Sequence, residues 1–270
     1  MRRLVVSCGV LSLVVLLHVS PVPALTDGQA DGGAHPAVGF IMGTKGDPCQ
    51  YLNQFVGRSG VLIDSDVFLT TGEAADAFAS SIVDGFIDEA WVIMDSQPFV
   101  VGAPEPDTFD CNKMIPLTSI VANPTWSSGG ADVGVLILAT PQSITPATLP
   151  TLNRLKKIKK SPLTVVTYSP LTDPNLEATL TQRSGTAKTG NPVHLELPTH
   201  TVVIDPATPP NPNPCVGFYS QGGATYVGST NELISLVRWD TAPTCSTTNH
   251  HQRLDVQAAR DFLDDYVTLP

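Results

Sequence analysis

Nine short segments of this chain have the composition of β-strands, and no regular helical pattern separates them. They are 37–43, 59–63, 67–71, 90–94, 133–138, 163–168, 194–204, 224–227 and 233–239. Each is rich in Val, Ile, Leu, Thr or aromatic residues and is bounded by Gly, Pro, Asn, Asp or Ser. A βαβ architecture would need a helical period between consecutive strands, so the pattern points to barrels or sandwiches. The 21 glycines and 24 prolines have no period, which favours many turns and excludes collagen. One helix is expected at the end. Asp255 or a neighbour can cap a segment through Val267 in which Val256, Ala259, Phe262, Leu263 and Tyr266 share one face.

Charge narrows the classes of function. Asp plus Glu number 25 against 15 Lys plus Arg, so nucleic acid is not expected as a partner. Met1-Arg2-Arg3, an apolar run to about Val19 and the exit Pro21-Val22-Pro23-Ala24 have the form of a secretory signal cut after Ala24. Residues 1–24 are therefore expected to be a signal peptide, and the mature chain to be secreted or periplasmic. No later apolar run approaches the roughly 20 residues of a membrane span, so no membrane association is expected after cleavage. Cleavage takes Lys plus Arg from 15 to 13 and removes Cys8, leaving Cys49, Cys111, Cys215 and Cys245. An even cysteine count in an exported chain reads as disulfides, with three pairings open. No two of these cysteines are closer than 30 residues, so a zinc knuckle is not indicated.

The best domain boundary is the proline-bearing bridge carrying Pro141, Pro146 and Pro150, followed by Arg154-Leu155-Lys156-Lys157-Ile158-Lys159-Lys160. It divides the chain into an N-terminal β-barrel over 25–145, a linker over 146–160 and a C-terminal β-barrel with its helix over 161–270. The basic cluster reads as a solvated linker. His250-His251, in the run Thr-Thr-Asn-His-His, reads as an exposed loop rather than a metal site.

Taken in order, the landmarks resemble those of the trypsin-like, chymotrypsin-fold serine proteases. Asp31-Gly-Gly-Ala-His-Pro-Ala-Val-Gly39 resembles the entry into the family's first strand. Ser59-Gly-Val-Leu-Ile63 followed by Val67-Phe-Leu-Thr-Thr-Gly-Glu-Ala74 resembles its G-T-L-I … V-L-T-A-A-H-C passage. Ala131-Asp-Val-Gly-Val-Leu-Ile-Leu138 resembles D-I-A-L-L-x-L, which carries the catalytic aspartate. Cys215-Val-Gly-Phe-Tyr-Ser-Gln-Gly-Gly-Ala224 lies where C-x-G-D-S-G-G-P would be. The resemblance covers nearly the whole mature chain. It implies an all-β fold of two antiparallel six-stranded β-barrels with a cleft between them and a C-terminal helix. It also implies a Cys215–Cys245 bridge, which leaves Cys49 for Cys111.

The catalytic positions of that resemblance are degenerate. The chemistry needs a hydroxyl nucleophile, an imidazole base and a carboxylate that orients the imidazole. Glu73 stands at the histidine position, and the one histidine of the mature chain before Asp132 is His35, about forty residues too early. Alignment on the double glycine puts Gln221 at the nucleophile position; counting from Cys215 puts Tyr219 there. Ser220 fits only with a one-residue insertion, and Gln221 then follows it where a glycine is needed for the oxyanion hole. Asp132 remains, with no imidazole to orient. Glu73 and Asp132 are expected near one another beside Gln221, Glu73 turned towards solvent, with a cation as one means of neutralising the pair. Asn213, at the pocket-base position inside Pro209-Pro210-Asn211-Pro212-Asn213-Pro214, removes any basis for Arg or Lys specificity.

These readings imply an exported protease homologue with no catalytic residues, no cofactor and no metal, acting as a binding module for a protein or peptide. The alternative is an active serine endopeptidase with a rearranged triad, Ser220 as nucleophile and a base such as His194 or His200.

Overall fold

The computed structural model describes residues 29–49, 55–100, 108–158, 161–170, 180–188, 201–204, 220–238 and 249–270. The first half forms a closed antiparallel barrel from β2 (Val38–Thr44), β3 (Phe55–Leu62), β4 (Val67–Thr70), β5 (Glu89–Ile93), β8 (Met114–Ala122) and β9 (Gly134–Leu138), in the order β2-β3-β4-β9-β8-β5. Every residue of β2 is buried, as expected of a strand covered on both faces. Phe40, Ile41, Met42, Leu62, Phe68, Leu69 and Ile93 are among the largest side chains removed from water.

The second half forms one antiparallel sheet. To β10 (Pro162–Pro170), β11 (Leu180–Lys188), β12 (Thr201–Ile204), β13 (Ala224–Val227), β14 (Leu233–Val237) and β15 (Asn249–Arg253) it adds β1 (Gln29–Ala30), in the order β1-β11-β10-β13-β14-β15-β12. The residues just before the first barrel thus pair with the second half. No pairing closes this sheet among the described residues. A short ribbon of β6 (Phe99–Val100) and β7 (Thr108–Phe109) stands apart, and the terminal helix α2 spans Gln257–Leu263. The fold is the all-β double-barrel class that the sequence implies.

Period-two alternation sorts the second sheet into two cores. Val166, Tyr168, Ala224, Tyr226 and Leu236 join the core shared with the first barrel, while Leu163, Val165, Val227 and Val237 turn the other way with Ile234. Leu155 and Ile158 of the basic bridge are buried in that second core, and Arg154 holds Glu232 through two bonds of 2.6 and 2.8 Å. The bridge is therefore anchored rather than solvated over Arg154–Ile158. Leu155 and Ile158 bury while Lys156 and Lys157 are exposed.

Cys49 and Cys111 form a disulfide across a separation of 62 residues, joining the segment after β2 to the start of β8. Cys215 and Cys245, like residues 1–24, lie outside the described residues.

Among the elements that differ from the sequence reading are a helix and a strand. Gly72–Val83 forms a helix, α1, capped by the Thr71 hydroxyl, which accepts from the Ala74 N–H; Ala74, Ala75 and Phe78 are buried. The exposed-loop expectation for His250-His251 is overturned, because both lie in β15 and His251 is fully buried. Its Nδ1 is 2.8 Å from the Thr225 hydroxyl.

Burial, with a smaller contribution from His250, pushes the His251 pKa down to about 3. The unfolded chain would take up this proton near pH 6.5. Stability from the neutral ring is thus complete above pH 6.5 and is lost as pH falls towards 3. Between pH 6.5 and 5, before carboxylates titrate, the loss should reach about 2 kcal/mol. Urea unfolding at pH 7 and pH 5 checks this. His251→Gln should show a difference smaller by that amount, and equal differences would mean that His251 does not carry it.

Candidate functional site

The site is assembled where the two barrels meet. Ser59 at the middle of β3 is the hub: its N–H donates to the Gln221 carbonyl (2.9 Å), its hydroxyl accepts from the Tyr168 N–H (2.9 Å), and its carbonyl accepts from the Thr70 hydroxyl (2.9 Å). Gly222, next to Gln221, has φ +85°, and a Cβ there would collide with the Ser59 carbonyl and the Thr70 hydroxyl. Only glycine fits both the left-handed backbone and the close approach. The Gly222 N–H donates to the Val237 carbonyl, which sets the end of β14 beside this loop.

Asp132, just before β9, is 1% exposed. One carboxylate oxygen accepts from the Glu73 N–H at the start of α1 (2.9 Å), and the other from Arg238 Nε (2.7 Å). Its own N–H donates to Gln252 Oε1 (2.9 Å). Its two side-chain acceptors thus face the positive end of a helix and a guanidinium. The structure therefore places Glu73 and Asp132 together, linked by Glu73's backbone rather than by its carboxylate. Glu73 is half-buried on the first turn of α1, and its carboxylate has no hydrogen-bond partner among the described residues. The neutralising cation is Arg238, a residue that the sequence reading did not single out.

Gln221 is 1% exposed and faces a second arginine. Arg58 Nε donates to Gln221 Oε1 (2.7 Å), while Arg58 Nη1 donates to the Gly57 carbonyl (2.8 Å). Ser220 is fully buried, and its carbonyl accepts from the Gly223 N–H (2.9 Å). Tyr219, Asn213, His194 and His200 lie outside the described residues. Among the described residues, no group of three or more His, Cys, Asp or Glu is arranged to hold a metal ion.

Both arginines had a signal in the sequence. Arg238 closes the otherwise uncharged run Leu233-Ile-Ser-Leu-Val, and Arg58 interrupts the apolar and small residues of β3. A lone charge in a buried strand requires a partner, and the partners here are Asp132 and the Gln221 amide. At the Asp132 carboxylate the side-chain partner is a guanidinium. A guanidinium stays protonated across the accessible pH range and cannot accept a proton.

No protein-family model matches the chain, and no curated protein matches it. Solved structures do. An HL collagenase is similar over 90% of this chain and 99% of its own, with a TM-score of 0.63 and 14% identity. A scabies mite inactivated protease paralogue, S-I1, is similar over 88% of this chain and 98% of its own, with a TM-score of 0.61 and 11% identity. The VesB protease of Vibrio cholerae is similar over 88% of this chain and 66% of its own, with a TM-score of 0.60 and 14% identity. The chain has the chymotrypsin fold of the trypsin-like serine proteases.

Removing either arginine should strand its partner. Arg238→Ala leaves a buried carboxylate with only its helix N–H and should destabilise by about 2–3 kcal/mol, scaled down from a fully buried pair because Arg238 is partly exposed. Arg58→Ala leaves Gln221 Oε1 without this donor and should cost about 1–3 kcal/mol. Chemical denaturation measures both. Asp132→Asn combined with Arg238→Ala should lose less than the two single changes added, since they remove one interaction.

Proposed function

We propose that this protein is an exported, non-cleaving relative of the trypsin-like serine proteases that acts as a protein- or peptide-binding module. The observation that carries this reading is the Asp132–Arg238 pair. In the triad the aspartate holds an imidazole that takes and returns a proton; here its second oxygen is taken by a group that cannot accept one. Glu73 supplies no imidazole at the matching position. Gln221, which alignment on the double glycine puts at the nucleophile position, supplies an amide instead of a hydroxyl. Loss of the nucleophile or the base alone costs about a millionfold in turnover in a comparable triad.

The reading with Ser220 as nucleophile meets a geometric obstacle, because a fully buried hydroxyl cannot approach a substrate carbonyl. Export is supported by the basic-then-apolar start of the chain and by the Cys49–Cys111 disulfide, which persists in oxidising compartments. A rigid β framework that carries surface loops is a ready binding platform.

A fluorophosphonate probe tests the reading. The chain should remain unlabelled, as should Glu73→His/Gln221→Ser, because Arg238 still occupies the aspartate. Adding Arg238→Ser to that pair frees Asp132 to orient the new imidazole and should bring labelling at position 221. Labelling of the unaltered chain at Ser220 would refute the proposal.

A further inference from the structure

We propose that the seam between α1, β5 and β8 is a docking groove for an extended peptide that alternates apolar and basic side chains. The inference rests on reading the chain as a binding module, and it puts the partner on the first barrel, away from Asp132.

The two strands part company early. β5 and β8 pair over three positions, Trp91↔Pro116, Val92↔Ile115 and Ile93↔Met114. Beyond Pro116, which has no N–H to donate, β8 pairs with β9 alone, and its register slips between Leu117 and Ser119. Before Trp91, β5 pairs with β2 alone. The splay leaves a cavity of about 540 Å³ walled by Ala79 and Ile82 of α1, Trp91 of β5, and Leu117 and Ile120 of β8. Residues 117–120 span roughly 13 Å at the rise of a strand, enough to receive about four residues of an added one.

Two further features select the occupant. Val83 and Phe86, 84% and 53% exposed, are two of the three large apolar side chains that project into water among the described residues, and both follow directly on Ile82 at the end of α1. Acids surround them. Asp84, Asp88 and Glu89 lie along the same turn and rim, against one Lys45 that is already bound to Asp88. Glu89 is exposed and has no ion-pair partner among the described residues. Apolar walls with an acidic rim fit a segment whose side chains alternate in the same sense, with the backbone supplying ladder bonds and the alternate residues supplying selectivity.

The test uses the full mature chain and two blocked hexapeptides, (Lys-Val)₃ and (Glu-Val)₃, followed by amide and indole NMR shifts. The Lys peptide should shift the Trp91 indole and the amides of residues 117–120 saturably. Binding should weaken at least tenfold in Glu89→Lys and in Phe86→Ser, and it should weaken with salt. Thr118→Pro, at the residue that the β9 register skips, should weaken it similarly. Shifts elsewhere, equal response to the Glu peptide, or no response would overturn the groove. So would a concentration-dependent dimer abolished by Phe86→Ser, which would assign the seam to a second copy. Fluorophosphonate labelling of the same sample reports separately on the non-cleaving reading, so the two can fail independently.

Discussion

A carboxylate at 1% exposure is the constraint around which this molecule is arranged. Moving an ion out of water costs several kcal/mol even after relaxation, so a buried carboxylate calls for donors on its oxygens. The first barrel supplies one, the second N–H of α1, and the second sheet supplies the other from Arg238 at the end of β14. Three elements distant in sequence are thereby fixed to one atom group. The arrangement ties the junction together through a donor that never gives up its proton.

The neighbouring Gln221 follows the same logic. An amide at a buried loop has a carbonyl to satisfy, and Arg58 reaches across from β3 to do so. Each arginine satisfies a polar group at the barrel junction. A protein with a working hydroxyl and imidazole would leave these positions free for substrate. Here the cations are directed inwards, which accords with a framework whose contacts with other molecules lie on its loops and outer faces.

Much of the double barrel was legible because strands buried on both faces read as short apolar runs: Val67–Thr70, Gly134–Leu138 and Leu233–Val237 all lie within segments recognised from composition. The misses have physical causes. α1 is a run of Ala and Ser between strong strands, so its helical face rests on small residues and Phe78 rather than on an obvious apolar stripe. β8 carries Pro116 and three exposed residues among its first six, and it forms a strand through its partners rather than its own propensity. β15, Asn-His-His-Gln-Arg, has no strand signal at all; flanking β12 and β14 impose the ladder, and burial then strips His251 of its charge. At the site, Glu73, Asp132 and Gln221 could be found from order along the chain. Arg58 and Arg238 stand out only as lone charges in apolar runs, and their partners could not be read, since a pairing across 163 or 106 residues leaves no local trace.

The geometry of the junction is therefore weak testimony to catalysis. The Ser59–Gln221 bond, the left-handed Gly222 and the Thr70 hydroxyl on Ser59 hold one barrel against the other whatever the side chain at 221 does. Stability alone is enough to retain them, because losing any one leaves an unpaired backbone group or a steric clash at a buried seam. The fold is thus shared with structures at 11–14% identity. In this chain the side-chain donor on the buried Asp132 of that seam is an arginine.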